Sequence, residues 1–311
     1  DWSSDVCSSD LGMSSDKLKN IAITNVPDSK IWIGSMDKGV TVYDRNSNYL
    51  NYGINQNIID NQINTIFKDG SDVLWIGTGN GLNRVEGLNW KSFTTDVIVN
   101  NNITCIYEDE NDNIWIGTSS GLSIINSSDT LNFHIADGLT NQIINGITKG
   151  FNGDILVATD EKITVFNNLM ITGEISVSDG LADNKINNIK YENGRVWLLF
   201  DEYIQYYDGT NFYDVTNECA STQNHSKAIC NNCDNIQYLG TDNSLIMFEN
   251  GTSNTNCWDH PYAGFATIIS IANSDQGVIC VFDNGKVQVF DGVSWTEKIF
   301  SNDVNYVLNC N

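Results

Sequence analysis

Carboxylates and amides recur in pairs along this chain at a nearly constant spacing. They stand at Met36/Asp37, Gly79/Asn80, Ser119/Ser120, Asp160/Glu161, Asp201/Glu202, Asp242/Asn243 and Asp283/Asn284. Five of the seven pairs hold an acidic residue. Carboxylates converging on one place could bind a hard cation such as Ca²⁺, which takes several oxygen ligands. They could equally accept hydrogen bonds from sugar hydroxyls. A plainer reading competes with both, because Asp and Asn suit two-residue turns on backbone grounds alone. The candidate ligand-binding set is Asp37, Asn80, Asp160, Glu161, Asp201, Glu202, Asp242, Asn243, Asp283 and Asn284. Apart from such a Ca²⁺, no cofactor or metal is expected.

Other reactive side chains form no catalytic pattern. His134, His225 and His260 fall at unrelated positions of the repeat described below. No serine sits in a nucleophile elbow, and no glycine-rich loop could cradle a phosphate. Asp137 and Asp179 stand in D-G-L links, where turn geometry explains them. Cysteines concentrate late: Cys219, Cys230, Cys233 and Cys257 share one repeat and could form one or two disulfides, which fits an oxidising compartment. Cys230-Asn-Asn-Cys233 lacks a second pair that would complete a zinc site. Cys105 and Cys280 lie inside strands and read as small buried hydrophobes.

The elements that position these residues follow from a repeat. IWIGS (31–35), LWIGT (74–78) and IWIGT (114–118) are nearly identical. Taking the glycine as a marker, the series runs Gly34, Gly77, Gly117, Ala158, Leu199, Gly240 and Val281, in steps of 43, 40, 41, 41, 41 and 41 residues. Each copy holds four short runs of β-branched and aromatic residues cut by Gly, Asn and Asp. In the second copy these are INTIF (63–67), VLWIGT (73–78), GLNRV (81–85) and NWKSF (89–93). Four antiparallel strands in about forty residues make one propeller blade. The expected fold is therefore all-β: a seven-bladed β-propeller over 19–300 with four antiparallel strands per blade. In such a ring the turn after strand two and the link from strand four share one face with the central channel. The paired polar residues are expected there. Trp32, Trp75, Trp115 and Trp197 share one repeat position and are expected to seal blade against blade. Trp90, Trp258 and Trp295, on outermost strands, are better placed for exposure.

LWIGTGNGLNRV (74–85), IWIGTSSGLSII (114–125) and the connectors DGLTNQIINGI (137–147) and DGLADNKINNI (179–189) carry a family resemblance. The chain resembles the two-component regulator propeller repeats of extracytoplasmic sensor regions in bacterial hybrid histidine kinases. The likeness is strong over 30–190 and thins beyond. It implies a non-catalytic ligand-sensing domain, periplasmic or secreted, with a small-molecule or glycan ligand such as an oligosaccharide. Signalling regions would then lie elsewhere in the full-length protein. The same repeats also occur in secreted and secretion-system proteins. Two other classes therefore stay open: a propeller hydrolase or lyase acting on polysaccharide or a small lactone, and a protein–protein interaction scaffold of a secretion system.

Composition narrows the partners. With 39 acidic against 16 basic residues the formal net charge is −23, a field that repels a phosphate backbone, so nucleic acid is not expected as a partner. No apolar run reaches the length of a membrane helix. At the N-terminus, DWSSDVCSSDL (1–11) looks like a translated sequencing adapter on a metagenomic fragment. Residues 12–18 read as a disordered leader. DVNYVLNCN (303–311), within 301–311, reads as an extra strand that closes the ring or begins a truncated continuation.

Overall fold

The computed structural model describes residues 15, 17–24, 30–43, 49–192, 194–201, 203–214, 228–231, 236–240, 244–249, 255–259, 261, 266–274, 277–282 and 286–297. Within them, twenty-eight strands pair into seven four-stranded antiparallel sheets, each built from consecutive strands. The first sheet is β1 (Leu18–Thr24), β2 (Lys30–Ser35), β3 (Val40–Tyr43) and β4 (Tyr49–Tyr52). The second holds β5 (Ile63–Lys68), β6 (Leu74–Thr78), β7 (Gly81–Glu86) and β8 (Asn89–Phe93). The third holds β9 (Ile103–Glu108), β10 (Ile114–Thr118), β11 (Gly121–Ile125) and β12 (Thr130–Phe133). In the fourth come β13 (Ile144–Lys149), β14 (Ile155–Thr159), β15 (Ile163–Asn167) and β16 (Met170–Ile175). The fifth is formed by β17 (Asn188–Glu192), β18 (Arg195–Leu199), β19 (Ile204–Tyr207) and β20 (Phe212–Asp214). Next are β21 (Ala228–Asn231), β22 (Ile236–Gly240), β23 (Ser244–Glu249) and β24 (Thr255–Asp259). Last are β25 (Ile268–Ser274), β26 (Gly277–Phe282), β27 (Val287–Phe290) and β28 (Trp295–Glu297). No helix among the described residues is long and apolar enough to cross a membrane.

The first strands of the sheets touch in succession, β1 to β5 to β9 to β13 to β17 to β21 to β25, and β25 returns to β1. They line the inside of a ring. The second, third and fourth sheets are covered on both faces by their neighbours, so β6, β10 and β14 are buried at every residue. That two-sided burial is why LWIGT reads as an unbroken apolar run rather than an alternation. Leu74 and Ile76 belong to the core beside the first sheet, and Trp75 to the core beside the third.

The expectation of seven equivalent blades needs correction at these seams. Hydrophobic clusters join neighbouring sheets at six places, not seven. Among the described residues no such cluster joins the fifth sheet to the sixth. Among the described residues, therefore, six packed blade-to-blade cores hold the ring rather than the seven that equivalent blades would give. The forty-one-residue period follows the sheets, because it records hairpins; it does not record the packing between them. Among the described residues the ring closes by packing, with Ile31, Ile33 and Tyr43 of the first sheet against Ile279, Val281 and Val289 of the seventh. The segment 301–311 lies outside the described residues.

Three of the repeat tryptophans, Trp32, Trp75 and Trp115, seal seams. Trp32, Trp75, Trp115 and Trp197 are all buried. Trp90, Trp258 and Trp295 differ from expectation, being half-buried against the cores. Trp90 leans on Tyr52 at 5.3 Å between ring centroids, and Trp258 and Trp295 lean on Phe290 at 4.8 and 4.9 Å. At these two seams the outer strands carry large aromatics that cap the core from outside.

Candidate functional site

Inner strands do not pair evenly. The register jumps in β1, β5, β9, β13 and β25, leaving Lys19, Asn64, Thr104, Asn145 and Ile269 outside the ladder. A bulge of this kind leaves one residue unpaired and re-aims its side chain. In the fifth sheet Asn187 takes the same place, its N–H donating to the Leu199 carbonyl at 2.7 Å. Five of these six residues are polar, and they link one sheet to the next. Lys19 Nζ donates to Asn64 Oδ1 at 3.3 Å, and Asn64 Nδ2 donates to Asn102 Oδ1 at 2.9 Å. The Thr104 hydroxyl donates to the Ile144 carbonyl at 2.5 Å, and Asn145 Nδ2 donates to the Ile186 carbonyl at 2.9 Å. A polar belt therefore runs around the inner ring from the first sheet to the fifth. Burial lowers the pKa of the Lys19 ammonium from its usual value.

The described paired residues, from Met36/Asp37 to Asp201, stand on the same face as this belt. Met36, Gly79 and Ser119 each donate a backbone N–H to the carbonyl of the residue just before the inner strand of their own sheet, Lys17, Gln62 and Asn102. Asn145 Nδ2 also donates to Asp160 Oδ1 at 2.8 Å, and Asn187 Nδ2 donates to Asp201 Oδ1 at 2.7 Å. Glu161 accepts from Asn141 at 3.0 Å, and Asn80 from Asn101 at 3.5 Å. Asp37 accepts from the Ser15 hydroxyl at 2.5 Å and lies 3.7 Å from Lys17 Nζ. Lys185 Nζ lies 3.7 Å from Asp201. Each described rim carboxylate is thus engaged by an amide, hydroxyl or ammonium, and none is brought against another. Glu202, Asp242, Asn243, Asp283 and Asn284 lie outside the described residues. Among the described residues no three His, Cys, Asp or Glu side chains gather as a metal-binding set.

The D-G-L links are built by capping. The Asp137 carboxylate accepts the His134 N–H, and that of Asp179 accepts both the N–H and the hydroxyl of Ser176. These Ser176 bonds hold the Asp179 carboxyl below the usual carboxylate range. Gly138 and Gly180 follow at φ 108° and 119°, and Leu139 and Leu181 are buried. Each link is one hydrogen-bonded turn anchored by a leucine. His225, His260, Cys219 and Cys233 lie outside the described residues. Cys230 lies in β21 and Cys257 in β24, on opposite edges of the sixth sheet.

The belt was missed by the sequence reading, which followed only the turns. Its signal was present in INTI (63–66), ITCI (103–106), INGI (144–147) and INNI (186–189). Both isoleucines of each motif enter a single core cluster. Residues three apart on a regular strand face opposite ways. Only a bulge between them lets both turn to the same core.

This sheet-by-sheet pattern matches known proteins. The family model for two-component regulator propellers matches residues 57–80 and 98–120. The chain carries two-component regulator propeller repeats. Both matched segments run from the link through the inner strand and LWIGT or IWIGT, so the regulator repeats are defined by the parts that build belt and rim. No match was found among curated proteins. Among solved structures the chain is similar to the extracellular domain of a hybrid two-component system from B. thetaiotaomicron. Identity there is 19%, over 88% of this chain and 39% of that one, with a TM-score of 0.73. It is also similar to virginiamycin B lyase from Staphylococcus aureus, 12% identical over 88% of this chain and 94% of that one, TM-score 0.71. A third is PorZ, a surface component of the type-IX secretion system of Porphyromonas gingivalis. It is 10% identical over 93% of this chain and 39% of that one, TM-score 0.64. At these identities the likeness is one of fold. The chain spans 39% of the two-component domain's length.

Proposed function

We propose that this propeller is a non-catalytic ligand-sensing module of a bacterial extracytoplasmic sensor, with an oligosaccharide as ligand on the belt face. The observation that carries this reading is the pairing of belt amides with rim carboxylates, Asn145 with Asp160 and Asn187 with Asp201. Such pairs present fixed acceptors and donors around a channel mouth, an arrangement suited to neutral hydroxyls. The family match and the extracellular two-component neighbour support a sensing role and an extracytoplasmic setting. A hydrolase or lyase reading draws only on the lyase neighbour. His134, the histidine among the described residues, sits in an exposed link 3.4 Å from Asp137.

The test is calorimetric titration against a panel of oligosaccharides, comparing the native chain with Asp160→Ala and Asp201→Ala. At least one oligosaccharide is expected to bind saturably, with each variant weakening it about tenfold. Undiminished binding by both variants sinks the site, and no binding across the panel sinks the ligand class.

A further inference from the structure

A cavity of about 600 Å³ opens on the opposite face of the ring, under the third, fourth and fifth sheets. Its walls include Glu110, Lys149, Phe151, Asp154 and Tyr191, with Trp115 behind them. The neighbouring seam shows why it is open here. Between the second and third sheets, Glu108 reaches across and accepts the Gly70 N–H at 2.7 Å, drawing the turns together. Between the third and fourth, Lys149 stands where Glu108 stood, and its Nζ spans to Glu110 at 3.3 Å. The turn residue Asp109 of the third sheet is replaced in the fourth by Gly150, followed by Phe151. A long, solvent-exposed ion pair thus replaces a short clamp to the backbone.

The chemistry of the walls is that of a cation site. The Phe151 ring meets Tyr191 and Tyr207 edge to face at 5.7 and 5.6 Å. Lys149 Nζ sits 4.8 Å from the Tyr191 ring centroid while pairing with Glu110. The chain's own ammonium therefore already occupies a place between an aromatic face and a carboxylate, the arrangement that favours organic cations. Asp109, Glu110 and Asp154 outnumber Lys149 on these walls, and the chain as a whole carries −23. An anion is repelled by both. Asp109 is committed to Trp115 and Asn113, and Asp154 accepts from the Asn167 amide at 2.9 Å, which leaves Glu110, paired with Lys149, to face an incoming charge.

We propose that this cavity binds a small organic cation, whose ammonium group competes with that of Lys149 for Glu110 and the Tyr191 face. The site is separate from the belt and stands whether or not an oligosaccharide binds there. Three probes of one carbon skeleton test it by calorimetry on the whole chain: 1,4-diaminobutane, 1,4-butanediol and succinate. The diamine is expected to bind saturably, and the diol and diacid not to bind. Glu110→Gln and Phe151→Ala should each weaken the diamine about tenfold. Lys149→Met should tighten it several-fold, because the internal competitor is gone, which a purely structural Lys149 would not do. Asp129→Asn, on an exposed turn outside the cavity lining, should leave binding unchanged and so gauges attraction to net charge alone. Melting curves confirm that each variant is folded. Equal binding of the diol, no saturable binding of the diamine, undiminished binding by Glu110→Gln, or no tightening by Lys149→Met overturns the proposal.

Discussion

Asp109 shows how much a single side chain can hold in this fold. Its carboxylate accepts from the Trp115 indole at 2.8 Å, from the Asn113 amide at 2.8 and 3.1 Å, and from the backbone N–H groups of Asn111 and Asn113. Asp69 repeats the arrangement with Trp75 at 2.9 Å. In both blades the carboxylate closes the first hairpin and satisfies the one polar atom of a buried indole. Asp109→Ala leaves the indole N–H buried without its acceptor, a loss of about 3 kcal/mol in unfolding free energy. Urea denaturation measures it. Trp115→Phe in the same background should recover part of that loss, since removing both partners abolishes the unsatisfied donor. Additive losses would show that the pair is not coupled.

At the scale of elements, the marker glycine fixes how closely two sheets approach. A Cβ placed on Gly77 would stand 2.5 Å from the Ile103 Cγ2 of the next inner strand and 2.7 Å from Thr65 Cγ2. At Gly34 it would meet Ile63 Cγ2 at 2.6 Å. The second strand of one blade thus lies directly on the bulged start of the next blade's inner strand. Where the marker changes to Ala158 or Leu199, the larger side chain is still buried. Gly77→Val forces three extra carbons into a closed seam, with an expected loss of at least about 2 kcal/mol. Its thermal midpoint should fall well below that of Gly173→Val, where a Cβ meets nothing within 4 Å. Equal midpoints for the two variants would contradict the close approach.

For the molecule as a whole, burial sets the alkaline limit of stability. Desolvation pushes the Tyr43 and Tyr107 phenols and the Cys105 thiol up to about 12 each. Their ordinary values are 10.0 for the phenols and 9.0 for the thiol. Between those values and about 12 the folded chain keeps protons that the unfolded chain has released. Unfolding free energy must then fall as pH rises through that window. Lys19, with its lowered pKa, acts in the opposite sense, but as one group against three. Urea midpoints should therefore be level near pH 8 and decline steadily from about pH 9 to 11. A midpoint that rises over that range would show these groups to be solvated. The three reside in the first and third sheets, so the decline reports on the packed part of the ring.

The period, the four-strand unit, the antiparallel hairpins and the D-G-L links were all legible in the amino-acid order. These are local matters: turn residues, ladder hydrogen bonds and caps act within a few positions of one another. The repeat family was legible for the same reason, since its motif lies within one hairpin. Tertiary structure alone decided what lies across a seam, because partners there are about forty residues apart and each seam packs its own way. It decided that six packed cores join the described sheets. It also decided that Asn145 and Asn187, rather than the turns alone, present polar groups at the ring's inner edge. Asp160 and Asp201 proved to be partners of those amides, a pairing no spacing of acidic residues could reveal. The cavity beside Tyr191 was equally invisible, because it depends on Lys149 meeting Glu110 where the preceding seam has Glu108 meeting a backbone N–H.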